Sequence, residues 1–166
     1  MSRDHQLFYR AYNEYSDLDG DGAPETGYKH AIAYGGYFDS TKCYTYSTTN
    51  TQFEPARTVT DKYCGNTDEW SGNFLNWSTG SAIDILRYGL TGGDRWVDTA
   101  SLTILQRAVL PNGRFWNDNN FPAKILRTAV VDGAVPAALK VKWDGSTHTG
   151  DIYIANCLNR THFGTA

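Results

Sequence analysis

The stretch Asp17-Leu18-Asp19-Gly20-Asp21-Gly22-Ala23-Pro24-Glu25 constrains this chain more than any other. Carboxylates at alternating positions repel one another unless a cation lies between them. A loop with side-chain ligands at positions 1, 3 and 5, a glycine at 6 and a backbone carbonyl at 7 offers the hard oxygen donors that Ca²⁺ takes. Those positions are Asp17, Asp19, Asp21, Gly22 and Ala23, and position 9 is Glu25. Position 12, a bidentate Glu in an EF-hand, is Tyr28, so the spacing excludes an EF-hand. The expectation is one structural Ca²⁺ held by Asp17, Asp19, Asp21, Ala23 and Glu25 between extended segments. The bland alternative is a solvated acidic turn, since Asp and Gly favour turns with or without a metal.

A chain of 166 residues is one ordinary domain or a fragment of a larger one, and it is long enough to bury a core. It divides by composition into a calcium loop with an aromatic insertion over 16–70 and a helix-and-sheet part over 71–166. Cys43 and Cys64 flank a polar segment with none of the paired Cys or His that would complete a zinc site, so the expectation is a disulfide and an oxidising compartment. Cys157 is left over. The net charge of −3, with no basic run interleaved with aromatics, gives nucleic acid no electrostatic footing. No apolar run approaches the length of a membrane span.

Between Tyr28 and Tyr46, tyrosines recur among glycines, with Gly35-Gly36 as a bend and Ser47 to Asn50 as a hairpin turn. Phe53 to Tyr63 then returns toward Cys64. One helix is expected after Ser71-Gly72, with Leu75, Ala82, Ile83, Leu86 and Leu90 on one face and Gly92-Gly93 as its stop. A second is expected from Asp98-Thr99, carrying Leu102, Leu105 and Val109 inward and closing at Pro111. Lys124 to Val130, Leu139 to Trp143 and Asp151 to Cys157 read as the strands beneath them, the last two joined by a hairpin loop from Asp144 to Gly150. The fold class is therefore α/β in the α+β sense: two helices on a small sheet, with a disulfide-closed aromatic insertion.

Trp70-Ser71-Gly72-Asn73-Phe74-Leu75-Asn76-Trp77, Gly36-Tyr37-Phe38-Asp39 and Cys43-Tyr44-Thr45-Tyr46, taken with the acidic loop, resemble the N-terminal region of PilY-type proteins, the type IV pilus tip-associated adhesins and assembly factors. Ile83-Asp84-Ile85-Leu86-Arg87 and Leu105-Gln106-Arg107-Ala108 extend the resemblance, which covers about Ser2 to Pro111. It implies part of a von Willebrand A-like domain, export through the periplasm to the cell surface at a pilus tip, and roles in pilus assembly and adhesion. The implied partners are minor pilins or a surface or host-cell ligand. The Asp-x-Ser-x-Ser metal-adhesion motif of that family is missing here. Its nearest approach is Asp144-Gly145-Ser146-Thr147-His148.

The histidines His5, His30, His148 and His162 share no metal-binding spacing, and no Gly-x-Ser-x-Gly elbow or phosphate loop occurs. Asp68-Glu69 and the acidic loop are local clusters, unlike the two separated acids of a glycosidase. The expectation is a non-enzymatic module. Its contact surface is placed on the insertion, with Tyr34, Tyr37, Tyr44 and Tyr46 as its candidate exposed aromatics, of which at least some must pack inward to hold the insertion to the helices. The alternatives are a filament subunit, or a secreted carbohydrate-binding or hydrolytic module, with Trp70 and Trp77 as an aromatic platform.

Overall fold

Among the described residues, two short α-helices and three small antiparallel sheets form the scaffold. A computed structural model describes residues 5–12, 16–66, 68–109, 124–128, 131–140, 145–147, 149–157 and 160–165. Strand β1 (Lys42–Ser47) turns through 48–51 into β2 (Gln52–Thr58), and β3 (Glu69–Ser71) pairs with the other side of β1. Pro55 lies in β2, at the sheet edge, where a residue without an N–H is tolerated. The expected disulfide is present: Cys43 of β1 bonds Cys64, and both are fully buried.

Helix α1 (Gly72–Thr79) follows β3 without a linker, because Ser71 is at once the last strand residue and the N-cap, its Oγ accepting the Phe74 N–H at 3.3 Å. Gly72 makes this junction possible. A Cβ there would overlap the Asp39 carbonyl and the Tyr44 ring. Gly72 through Ser78 are all buried, so this helix is a central pillar rather than a surface element. Phe74 and Trp77 meet Tyr28, Tyr34, Leu126, Val135, Ile152 and Ile154 in the main core. Each such large side chain contributes roughly 1.5–3 kcal/mol by leaving water.

The carbonyls at the C-terminal end of α1 are met by the third sheet, β6 (Lys124–Leu126), β7 (Ile152–Cys157) and β8 (Arg160–Thr165). The Lys124 ammonium, 5% exposed, donates to the Trp77 and Ala11 carbonyls and lies 4.5 Å from the centroid of the Trp77 ring. Asn156 Nδ2 donates to the Ser78 carbonyl at 3.1 Å. Backbone groups that the helix cannot satisfy internally are thus bonded by side chains of the sheet it packs on.

Three expectations are corrected. The single long helix breaks at Gly80-Ser81, and α2 (Ala82–Thr91) starts afresh with a capping box between Ser81 and Asp84. Its stop at Gly92 (φ 79°) is as expected, but Leu86 and Leu90 are 42% and 69% exposed instead of packed inward. The second expected helix is a hairpin, β4 (Arg95–Asp98) with β5 (Thr103–Leu105). Thr99 closes its turn, since Leu102 N donates to Thr99 Oγ1 at 3.0 Å while Thr99 N donates to the Leu102 carbonyl. The β-branched Val97, Thr103 and Ile104 suit a strand better than a helix. Lastly, Lys124–Leu126 and Ile152–Cys157 pair as strands within the expected segments, but the described strands form three sheets instead of one. Leu139 sits in a 3-10 turn (Ala137–Lys140), and β7 pairs with β6 and β8. Pro111, Val130, Trp143, Asp144, His148 and the side chain of Cys157 lie outside the described residues. No helix among the described residues is long and apolar enough to cross a membrane.

Candidate functional site

Two features stand on the segment from Asp17 to Tyr44, and both depend on side chains outside the motifs. The first is the acidic loop. Asp17 Oδ1 accepts the N–H groups of Gly20 (2.7 Å) and Asp21 (3.1 Å), and its Oδ2 accepts Gly22 N–H at 2.9 Å. Gly20 (φ 77°) and Gly22 (φ 90°) supply the left-handed conformations that wind the chain around this carboxylate. The folding brings one oxygen from each of Asp17, Asp19 and Asp21 within 4.8 Å of one another. These hard oxygen donors at such spacing fit Ca²⁺. Ala23 is exposed in the same loop, its N–H on Asp21 Oδ1 at 2.9 Å.

Glu25 stands differently from the three aspartates. It is 6% exposed, and its Oε2 accepts the Leu18 N–H at 2.5 Å. Its Oε1 lies 3.3 Å from Lys29 Nζ, which also meets Asp19 Oδ2 at 2.6 Å and Asp21 Oδ2 at 3.8 Å. The ammonium therefore touches three of the four expected carboxylates. Hydrogen bonding to Lys29 holds the Asp19 carboxyl below its ordinary range, and the same bond raises the lysine. Lys29 lies outside the acidic motif, and its i+4 spacing from Glu25 is the sequence signal for such a pair.

The second feature is a cleft of about 430 Å³ on the loop from Tyr34 to Ser40. Two asparagines one helical turn apart on α1 hold that loop by its backbone. Asn73 Oδ1 accepts Tyr34 N–H (2.9 Å), and its Nδ2 donates to the Ile32 carbonyl (2.8 Å) and the Tyr28 hydroxyl (3.3 Å). Asn76 Oδ1 accepts Phe38 N–H (2.9 Å), and its Nδ2 donates to the Tyr34 and Phe38 carbonyls, both at 2.8 Å. A buried amide that makes three bonds stabilises a loop with no ladder of its own.

Tyr34, Tyr37 and Tyr44 all line this cleft, whereas Tyr46 lines a separate surface depression with Trp70 and Leu139. Two of the four pack inward. Tyr34 (2%) and Tyr44 (9%) are buried, because each hydroxyl is used inside: Tyr34 accepts Lys29 N–H and Tyr44 accepts Asp39 N–H. Burial pushes both phenols up. Tyr37 is half-buried, its hydroxyl accepting Asp94 N–H at 3.1 Å, and Tyr46 is 48% exposed. Tyr88 of α2, which the sequence reading did not single out, is 47% exposed on the cleft wall, its ring centroid 6.2 Å from that of Tyr37. Trp70 and Trp77 do not form a common platform. Trp77 is 3% exposed in the core, and half-buried Trp70 packs on Phe53 and Phe163.

The family described as PilY1 homolog, small alpha/beta domain, matches residues 25–161. The chain belongs to that family. A type IV pilus biogenesis factor PilY1 homolog of Xylella fastidiosa (strain Temecula1 / ATCC 700964) is 48% identical over 113 residues, which cover 67% of this chain and 8% of that protein. A second factor of the same name and organism is 38% identical over 118 residues, covering 66% of this chain and 9% of its own length. The chain thus spans less than a tenth of the PilY1 homologs it matches. No solved structure matches it. The family match contains the whole cleft and Lys29, and it begins at Glu25, after Asp17, Asp19 and Asp21.

Proposed function

We propose that this domain is a non-enzymatic, calcium-stabilised part of a type IV pilus tip-associated protein, acting in pilus assembly and in contact with surfaces or host cells. The similarity to the two pilus biogenesis factors carries the reading. The domain would lie in a von Willebrand A-like N-terminal part, exported through the periplasm to the cell surface, with pilus subunits or a surface ligand as partners. Asp17, Asp19 and Asp21 would hold Ca²⁺ with the Ala23 carbonyl, and Glu25 would join once Lys29 is displaced. The ion supplies charge neutralisation for the loop and no chemistry. Tyr37 and Tyr46 are the insertion's accessible contact residues, with Tyr34 and Tyr44 supporting them from within.

The test replaces Tyr37 and Tyr46 by Ser in the intact parent protein, confirms folding, and counts surface attachment and surface pili separately. Lost attachment with normal piliation supports adhesion, and lost pili supports assembly. No change in either removes the insertion from the proposal.

A further inference from the structure

The cleft beside Tyr37 has a chemical bias of its own. Its lining includes the aromatic residues Tyr37, Phe38 and Tyr88 together with Asp39 and Ser40. Among the described residues, no lysine or arginine lines it. Of the nearby basic groups, Arg87 donates to Asp94 Oδ2 at 2.7 Å, and Lys42 reaches the cleft's own carboxylate, Asp39 Oδ2, at 3.4 Å. The latter pair is more than two-fifths exposed on both sides, so it is weak and an incoming cation can share the carboxylate. Asp39 Oδ1 is fixed by Thr41, whose N–H and Oγ1 donate to it at 2.9 and 2.6 Å, so Oδ2, which Lys42 meets only at 3.4 Å, is the recognition atom an incoming cation would share.

Aromatic faces carry negative quadrupole density, and a cation over them is attracted most where water is partly excluded. Phe38 stands edge-on to Tyr44 at 5.1 Å, and Tyr37 and Tyr88 are tilted by 56° to each other, so the rings form an angled wall instead of a closed stack. A carboxylate beside such a wall rejects anions and leaves neutral ligands without a charge partner.

We infer that this cleft binds the cationic side chain of a lysine or arginine from a protein partner, seated against Tyr37, Phe38 and Tyr88 with its charge toward Asp39. This names the ligand class of the contact surface under Proposed function and rests on that reading.

The test titrates the 166-residue chain with N-acetyl-lysine methylamide and, separately, with its neutral isostere N-acetyl-norleucine methylamide, following backbone amides by NMR. The lysine probe is expected to shift Gly35, Gly36 and Tyr88 saturably in the millimolar range while the norleucine probe leaves them in place. Tyr88→Leu keeps the bulk but removes the ring and is expected to weaken lysine binding about three-fold, whereas Tyr88→Phe restores it. Equal shifts with norleucine, shifts with glucose but not lysine, or a Tyr88→Leu variant that binds like the parent would each overturn the proposal. If the parent protein loses attachment on Tyr37 replacement and the lysine probe still does not bind, the ligand class is wrong and the contact surface stands.

Discussion

Asn76 and Gly36 fit each other only because residue 36 has no Cβ, which would overlap the Asn76 side-chain oxygen. That oxygen is the one that accepts Phe38 N–H, so the cleft loop and the helix pillar are matched atom to atom.

Asn76→Leu is therefore expected to leave the Phe38 N–H and the Tyr34 and Phe38 carbonyls without their bonds, at roughly 1–3 kcal/mol for each group that stays buried. Gly36→Ala should act on the same loop through overlap. Urea denaturation gives the loss in stability. Faster amide exchange confined to 34–40 in the Gly36 variant would show that the loop, and not the core, has loosened. An unchanged midpoint for Asn76→Leu would refute the anchoring role.

Calcium is expected to bind with a dissociation constant on the order of 10⁻⁴ to 10⁻³ M, as suits an extracellular module. At about one hundred times that constant it should stabilise the fold by about 2.7 kcal/mol, with no such gain in Asp19→Asn. Lys29→Met should bind calcium more tightly than the parent, since Asp19 and Glu25 lose a competing cation, while melting lower without calcium. Calorimetry on the three proteins checks this. Absence of heat in the parent at millimolar calcium would mean that the loop is only a turn.

Reduction of Cys43–Cys64 frees a closed loop with a sequence separation of 21. The expected loss is about 3 kcal/mol on chain-entropy grounds. A Cys43→Ala/Cys64→Ala protein melted beside the parent measures it, and equal melting temperatures would count against a stabilising bridge.

Stability should fall at both ends of the pH range for different reasons. Lys29 holds Asp19 below its ordinary value, Thr41 does so for Asp39 and Arg127 for Asp151. In Glu69, burial pushes upward, but Arg57 and Asn66 outweigh it and the carboxyl is lowered. These groups bind protons less readily folded than unfolded. Their contribution is thus full above about pH 4 to 4.5 and is lost as pH drops through the lowered values. Tyr28 is opposite in sign, pushed up to about 12 by burial. Its contribution is full below about pH 10 and fades as pH rises to the folded value. Urea midpoints across pH should show the alkaline fall in the parent and a shallower one in Tyr28→Phe.

What the sequence made legible was local. Gly92 as a helix stop, the turn after Ser47 and the Cys43–Cys64 pair are each set by neighbouring residues or by the scarcity of partners. The helix break was written in Ser81-x-x-Asp84, but the apolar spacing across it masked the cap. The hairpin at 95–105 was misread because Leu102, Leu105 and Val109 fit a helical period that the turn at Thr99 overrides. In the site, the aspartates declared themselves by spacing. Asn73 and Asn76 did not, since an asparagine inside a helix reads as a weak helix former until its partners, about forty residues earlier, are in place. Tyr88 gave no signal for the same reason: the other wall of its cleft comes from the loop at 34–40.

The bridge between Cys43 and Cys64 also governs how the molecule responds to being cut. Arg57 is exposed, and both it and Lys62 lie inside the covalent ring, as does the exposed turn at 48–51. A protease that cleaves at any of these points opens the ring without dividing the molecule. The nicked protein should run as one species without reductant and as two with it, and β1 and β2 should keep their pairing across the gap. The β1–β2 hairpin can therefore take a single cut and leave the chain on both sides of it attached.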